Sequence, residues 1–84
     1  MKILHILRKE EDPFIKEIIE HDRTAKEVSI LLIQDGVLSK FREDKNVFAS
    51  VNDVEARGLN VSCNLVDYPA ICRLIVEHDK VIVW

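Results

Sequence analysis

Two thiols, three imidazoles and one Asp-Gly pair are the groups in this sequence with chemistry to offer. A nucleophilic cysteine acts as its thiolate, which needs exposure and a lowered pKa, often from a helix N-terminus. Cys63 lies near a strand end just ahead of the last helical segment and is the better-placed candidate for catalysis. Cys72 falls within that helix, past its first turn and beside its apolar face, so burial is expected of it. The two thiols form no CxxC and lack zinc spacing. They are also too few for a disulfide framework, and reduced thiols are the default reading. His5 sits in a buried strand, where an imidazole is more often hydrogen-bonded structure than catalyst. His21 and His78 fall near helix ends, where a cation suits the dipole. Neither has a partner at metal spacing. Asp35 invites comparison with a phosphoacceptor. That chemistry needs further acidic residues after the first strand, and Leu7-Arg8-Lys9 does not supply them. Asp35-Gly36 reads instead as a turn whose carboxylate binds backbone N–H groups. No glycine loop cradles a phosphate. No metal and no cofactor are expected.

The elements that position these groups are organised around Val28-Ser29-Ile30-Leu31-Leu32-Ile33. So short and so apolar a run is a strand buried on both faces. Gly36 is expected to take a positive φ for a sharp exit. Gln34, Asp35 and Gly36 then mark the carboxyl end of a central strand, where open α/β sheets place their working residues. Ile3–Leu7 is strand one. Asp12-Pro13 starts a helix, with Asp as cap and Pro in the first turn. Its apolar face is Phe14, Ile15, Ile18 and Ile19, and it is expected to end near His21-Asp22. Residues 38–45 read as a short helix or a surface loop. Val47–Val51 is strand three. Asn52 is expected to cap a helix over 53–57, closed by Gly58 in the left-handed region. A short strand is expected around Val61-Ser62-Cys63. Asp67 caps the last helix and Tyr68 is a packing aromatic, the pair also offering a contact surface. Ile71, Leu74, Ile75 and His78 form that helix's apolar face. Val81–Trp84 is a terminal strand, with Trp84 in the core or at an interface. Alternating strands and helices predict a mostly parallel sheet of four or five strands within a three-layer α/β/α fold, flavodoxin-like in character.

A chain of 84 residues is expected to form one domain, residues 1–84. Its apolar content of 48% is high for a small chain with much surface, so some apolar residues face outward and a subunit interface is expected. With a net charge of −3 and scattered basic residues, direct nucleic-acid binding is disfavoured. The start, Met1–Leu7, is too short for a signal-peptide core. No run approaches the ~20 apolar residues of a membrane span. A cytoplasmic location is expected.

Five segments in order resemble one family. They are Leu4-His5-Ile6-Leu7, Leu31-Leu32-Ile33-Gln34-Asp35-Gly36-Val37, Asp53-Val54-Glu55-Ala56-Arg57-Gly58, Val66-Asp67-Tyr68, and an ending with His78 ahead of Trp84. Together they are similar to the TusB and DsrH proteins, along essentially the whole chain. Between Val37 and Val47 this chain is shorter than is typical, so the second helix is reduced to a turn or lost. The resemblance implies a DsrEFH-like fold and a subunit of a persulfide relay. It implies sister subunits like DsrE or TusD and like DsrF or TusC in a hetero-oligomer, with self-association as a homodimer the alternative. It also implies a link to 2-thiolation of the tRNA wobble uridine or to dissimilatory sulfur oxidation. The principal sulfur-carrying cysteine of such complexes belongs to the DsrE or TusD subunit. Some DsrH members carry a cysteine in the first helix, and Phe14–Glu20 has none here. The implied role is structural rather than catalytic. The rivals are a sulfurtransferase using Cys63 and a homo-oligomeric binding module with its ligand at Gln34-Asp35-Gly36.

Overall fold

The central apolar run does become a strand, and the rest of the sheet forms on either side of it. The computed structural model describes residues 1–84, the side chain of Ala25 excepted. In chain order the elements are β1 (Lys2–Leu7), α1 (Pro13–Ala25), β2 (Glu27–Leu32), two 3-10 turns (Gln34–Leu38 and Lys40–Glu43), β3 (Phe48–Ser50), α2 (Val51–Ala56), β4 (Asn64–Val66), α3 (Tyr68–Glu77) and β5 (Lys80–Val83). The five strands form one sheet in the order β4-β3-β2-β1-β5, and every pairing is parallel. β2 is therefore the middle strand, and Ile30, Leu31 and Leu32 are all buried.

Alternation along the strands divides the core into two layers. Leu7, Ile30 and Leu32 face α1 through Ile15 and Ile19, and α2 through Val54. Leu4, Ile6 and Leu31 face the other way, toward Ile71 and Leu74 of α3. The fold is thus α/β/α in three layers, as the pattern predicts. Both Asp-capped helices start where local chemistry places them. Asp12 Oδ1 accepts from Ile15 N–H at 2.8 Å, and Asp67 Oδ1 accepts from Ala70 N–H at 3.0 Å.

Several boundaries differ from the sequence reading, each for a tertiary reason. α1 runs on to Ala25 rather than stopping at His21-Asp22. Asp22 is not a polar stop: it lies on the inner face, bonded to His5. The last turn is closed by Lys26 N–H on Asp22 O at 2.9 Å. α2 begins at Val51 directly after β3, so Asn52 is a helical residue and not its cap; Ser50 stands at that position. Gly58 does close it, at φ +60. The expected strand at Val61–Cys63 lies three residues later, at Asn64–Val66. Ser62 and Cys63 give their N–H groups to Arg42 O, both at 3.1 Å, and so cannot join the ladder. Residues 40–43 form a 3-10 turn pinned by Phe41, which is buried, and by Ser39 Oγ accepting from Phe41 N–H at 3.1 Å.

Candidate functional site

Every βα connection of a parallel sheet leaves from the same edge, so Gln34–Gly36 and Asp67–Tyr68 follow the carboxyl ends of strands, as Trp84 does, whereas His5 lies within β1 and Cys63 ahead of β4. They do not gather into one cluster. Gln34, Asp35 and Gly36 follow the middle strand β2, Asp67 and Tyr68 follow edge strand β4, and Trp84 follows the opposite edge strand β5.

At the end of β2 the chain turns at Gln34, which is exposed and takes φ 51°, the left-handed region. Gly36 does not: the expected positive φ belongs to its neighbour. Glycine is required there for space. A Cβ at Gly36 would lie 1.9 Å from Leu7 O and 2.6 Å from Leu7 C. The turn is held against the end of β1, where Ile33 N–H also donates to Leu7 O at 3.0 Å. Asp35 is not a free acid either. Its Oδ1 accepts from Arg57 Nη2 at 2.9 Å and Nε at 3.2 Å. Arg57 also donates from Nη1 to Asp53 O at 3.1 Å, so α2 is tied to the turn. The carboxylate therefore orients a guanidinium rather than its own backbone, as the Asp-Gly reading had it.

His5 is fully buried and hydrogen-bonded at both nitrogens. Nε2 stands 2.9 Å from Asp22 Oδ2, and Nδ1 receives the Trp84 Nε1 hydrogen at 3.0 Å. The strand order reverses between β1 and β5, the position where ligands often enter such sheets. Here that gap is closed by Arg8 N–H on Trp84 O at 3.2 Å and Trp84 N–H on Ile6 O at 2.8 Å.

The thiols are placed opposite to expectation. Cys63 is 8% exposed and belongs to the larger core cluster, whereas Cys72 is exposed. Burial pushes the Cys63 thiol up, and the negative charge of Asp44 adds to it. Those surroundings oppose a thiolate. Cys72 is outside because α3 is apolar on more than one side. Ile71 and Leu74 face the sheet, while Cys72, Ile75 and Val76 face solvent, Val76 at 83% exposure. Ile75 was expected on the inner face and is outside it, and no residue of α3 is fully buried. Tyr68, at the helix start, is exposed rather than packed.

One feature had no sequence signal. A groove of about 360 Å³ between α1 and the second 3-10 turn is lined by residues that include Lys16, Arg23, Lys40, Phe41 and Asp44. Arg23 pairs with Asp44 at 3.0 Å and lies 5.6 Å from the Phe41 ring centre. Two separate segments supply it, so no spacing in the chain marks it. Among the described residues no group of three or more His, Cys, Asp or Glu is placed to hold a metal ion. No helix is long and apolar enough to cross a membrane.

Comparison with known proteins gives two positive findings. A family profile described as "DsrH like protein" matches residues 12–81. The crystal structure of the YchN protein from E. coli is similar over the whole of both chains, with a TM-score of 0.66 at 14% identity, a likeness of fold. No curated protein matches in sequence.

Proposed function

This chain belongs to the DsrH-like protein family, a family of sulfur-relay subunits, and we propose that its own part in the relay is structural. It joins sister subunits like DsrE or TusD and like DsrF or TusC, and helps present their reactive cysteine to the next carrier. The sisters it joins decide whether the sulfur goes to a tRNA wobble uridine or through dissimilatory oxidation.

The observation that carries this reading is the outer face of α3. Tyr68 (73% exposed), Ile75 (41%) and Val76 (83%) are apolar and open, and Val83 of β5 (52%) adds to them on the same side of the sheet. A small chain rarely leaves such a surface without a use. The central part of a subunit interface is typically apolar and aromatic. The rival, a persulfide carried on Cys63, needs a thiolate that the burial of that residue opposes. A ligand at Gln34-Asp35-Gly36 would have to compete with Arg57 for the carboxylate.

The test is co-expression with DsrE-like and DsrF-like sister subunits, followed by sedimentation velocity. The wild-type chain is expected in the larger species. Val76→Glu is expected to leave it while keeping its own circular dichroism spectrum. A wild-type chain that stays free of its sisters, or a Val76→Glu chain that assembles normally, would overturn the reading.

A further inference from the structure

The bonded set Trp84–His5–Asp22 lies away from the outer face of α3, and its donors and acceptors are fixed by chemistry. An indole nitrogen can only donate. The 3.0 Å contact from Trp84 Nε1 therefore makes His5 Nδ1 the acceptor. Nε2 then carries the ring hydrogen and donates to Asp22 Oδ2 at 2.9 Å. These two bonds select a single tautomer of the neutral ring. At 0% exposure it joins α1, β1 and the residue after β5.

A further proton on the ring has one place to go, Nδ1. That nitrogen then points an N–H at the indole N–H across the same 3.0 Å, and the contact loses its acceptor. The other bond gains, because imidazolium to carboxylate is charge-assisted. The ionisable groups facing His5 are few. α1 supplies Asp22, which favours the added proton. β5 supplies Lys80, paired with Ile3 two residues back on the same sheet face, which opposes it. The residues in register with His5 are Ile30 on β2 and Ile82 on β5. Of the two partners Trp84 is the one whose side-chain bond is lost, while its backbone stays bonded to Ile6 and Arg8. It is half-buried at a sheet edge, and its ring lies nearly parallel to the imidazole (14°) instead of being clamped across it.

We propose that His5 is an acid-sensitive latch: protonation at Nδ1 releases the Trp84 indole and loosens the carboxyl end of β5, while the bond to Asp22 keeps α1 on the sheet. The proton comes from solvent and stays on the imidazole; no covalent bond changes. Order at this edge of the sheet then follows pH before the fold as a whole does.

Trp84 is the only tryptophan, so the tryptophan emission reports the surroundings of this one indole. On acidification the wild-type emission should shift to the red and become open to acrylamide quenching while the far-ultraviolet dichroism is still native. His5→Gln offers an amide that can accept from Trp84 and donate to Asp22 but takes no proton, so the step should vanish. Asp22→Asn removes the carboxylate charge beside Nε2, so the step should move to lower pH. An indole that stays shielded until the dichroism collapses would overturn the latch. So would a step that survives in His5→Gln, or one that does not move in Asp22→Asn. Should His5→Gln fail to fold, the Asp22→Asn shift decides alone.

Discussion

Gly36→Ala is the most revealing single substitution, because the added methyl has a defined obstacle. Its Cβ would stand 1.9 Å from Leu7 O, where ordinary contact begins at 3.4 Å, so the turn must retreat by about 1.5 Å. Forcing a methyl into a packed site costs about 1–3 kcal/mol and sometimes more. The retreat also strains the bond from Ile33 N–H to Leu7 O, worth about 1 kcal/mol. The expected loss is about 2–4 kcal/mol. For 84 residues the total stability is about 4–13 kcal/mol, so the loss is a large share of it. Gly58→Ala is the control. Nothing lies within 4 Å of its Cβ, and only the φ of +60 is strained. That costs about 1–2 kcal/mol. Urea unfolding followed by dichroism compares the two through their midpoints. A Gly36→Ala midpoint at or above that of Gly58→Ala would refute the close packing of the turn on β1.

Two further outcomes follow from the charges and thiols. A thiol reagent should modify Cys72 in the native protein and Cys63 only once urea unfolds it; equal native rates would contradict the burial of Cys63. Asp44 has its carboxyl held below the usual range by the Asn46 backbone N–H at 2.9 Å and by Arg23 at 3.0 Å, against a partial burial penalty. A depressed carboxyl stabilises the fold above its unfolded pKa, and that contribution is lost as pH falls through the folded value. Asp44→Asn should therefore cost a little at neutral pH, under about 1 kcal/mol for so exposed a pair. The difference from wild type should close below about pH 4, as read from urea midpoints across pH. A difference that persists in acid would mean the residue acts through packing.

What was legible in the chain was local. The apolar run of β2 and the Asp caps of α1 and α3 depend on neighbours within a few positions, and each lies where its pattern places it. What was not legible depended on contacts between distant segments. Gly36 is glycine because of Leu7 on another strand. The reach of α1 to Ala25 depends on Asp22 meeting His5. The start of β4 was displaced because Arg42 takes the N–H groups of Ser62 and Cys63. α3 is apolar around much of its circumference, so periodicity alone did not say which stripe meets the sheet. Ile75 and Cys72 belong to the outer stripe, which periodicity does not distinguish from the inner one. The resemblance to the DsrH proteins spanned several such local segments, and so it could be read without any of these contacts.

The proposed role serves the relay through the surface of this chain and not through its sulfur. The direct measurement is persulfide transfer by a complex reconstituted with sister DsrE-like and DsrF-like subunits around a chain carrying both Cys63→Ser and Cys72→Ser. Assembly and sulfur delivery like those of the wild-type complex are expected. Normal assembly with transfer abolished would contradict that role and make one of these two thiols a carrier.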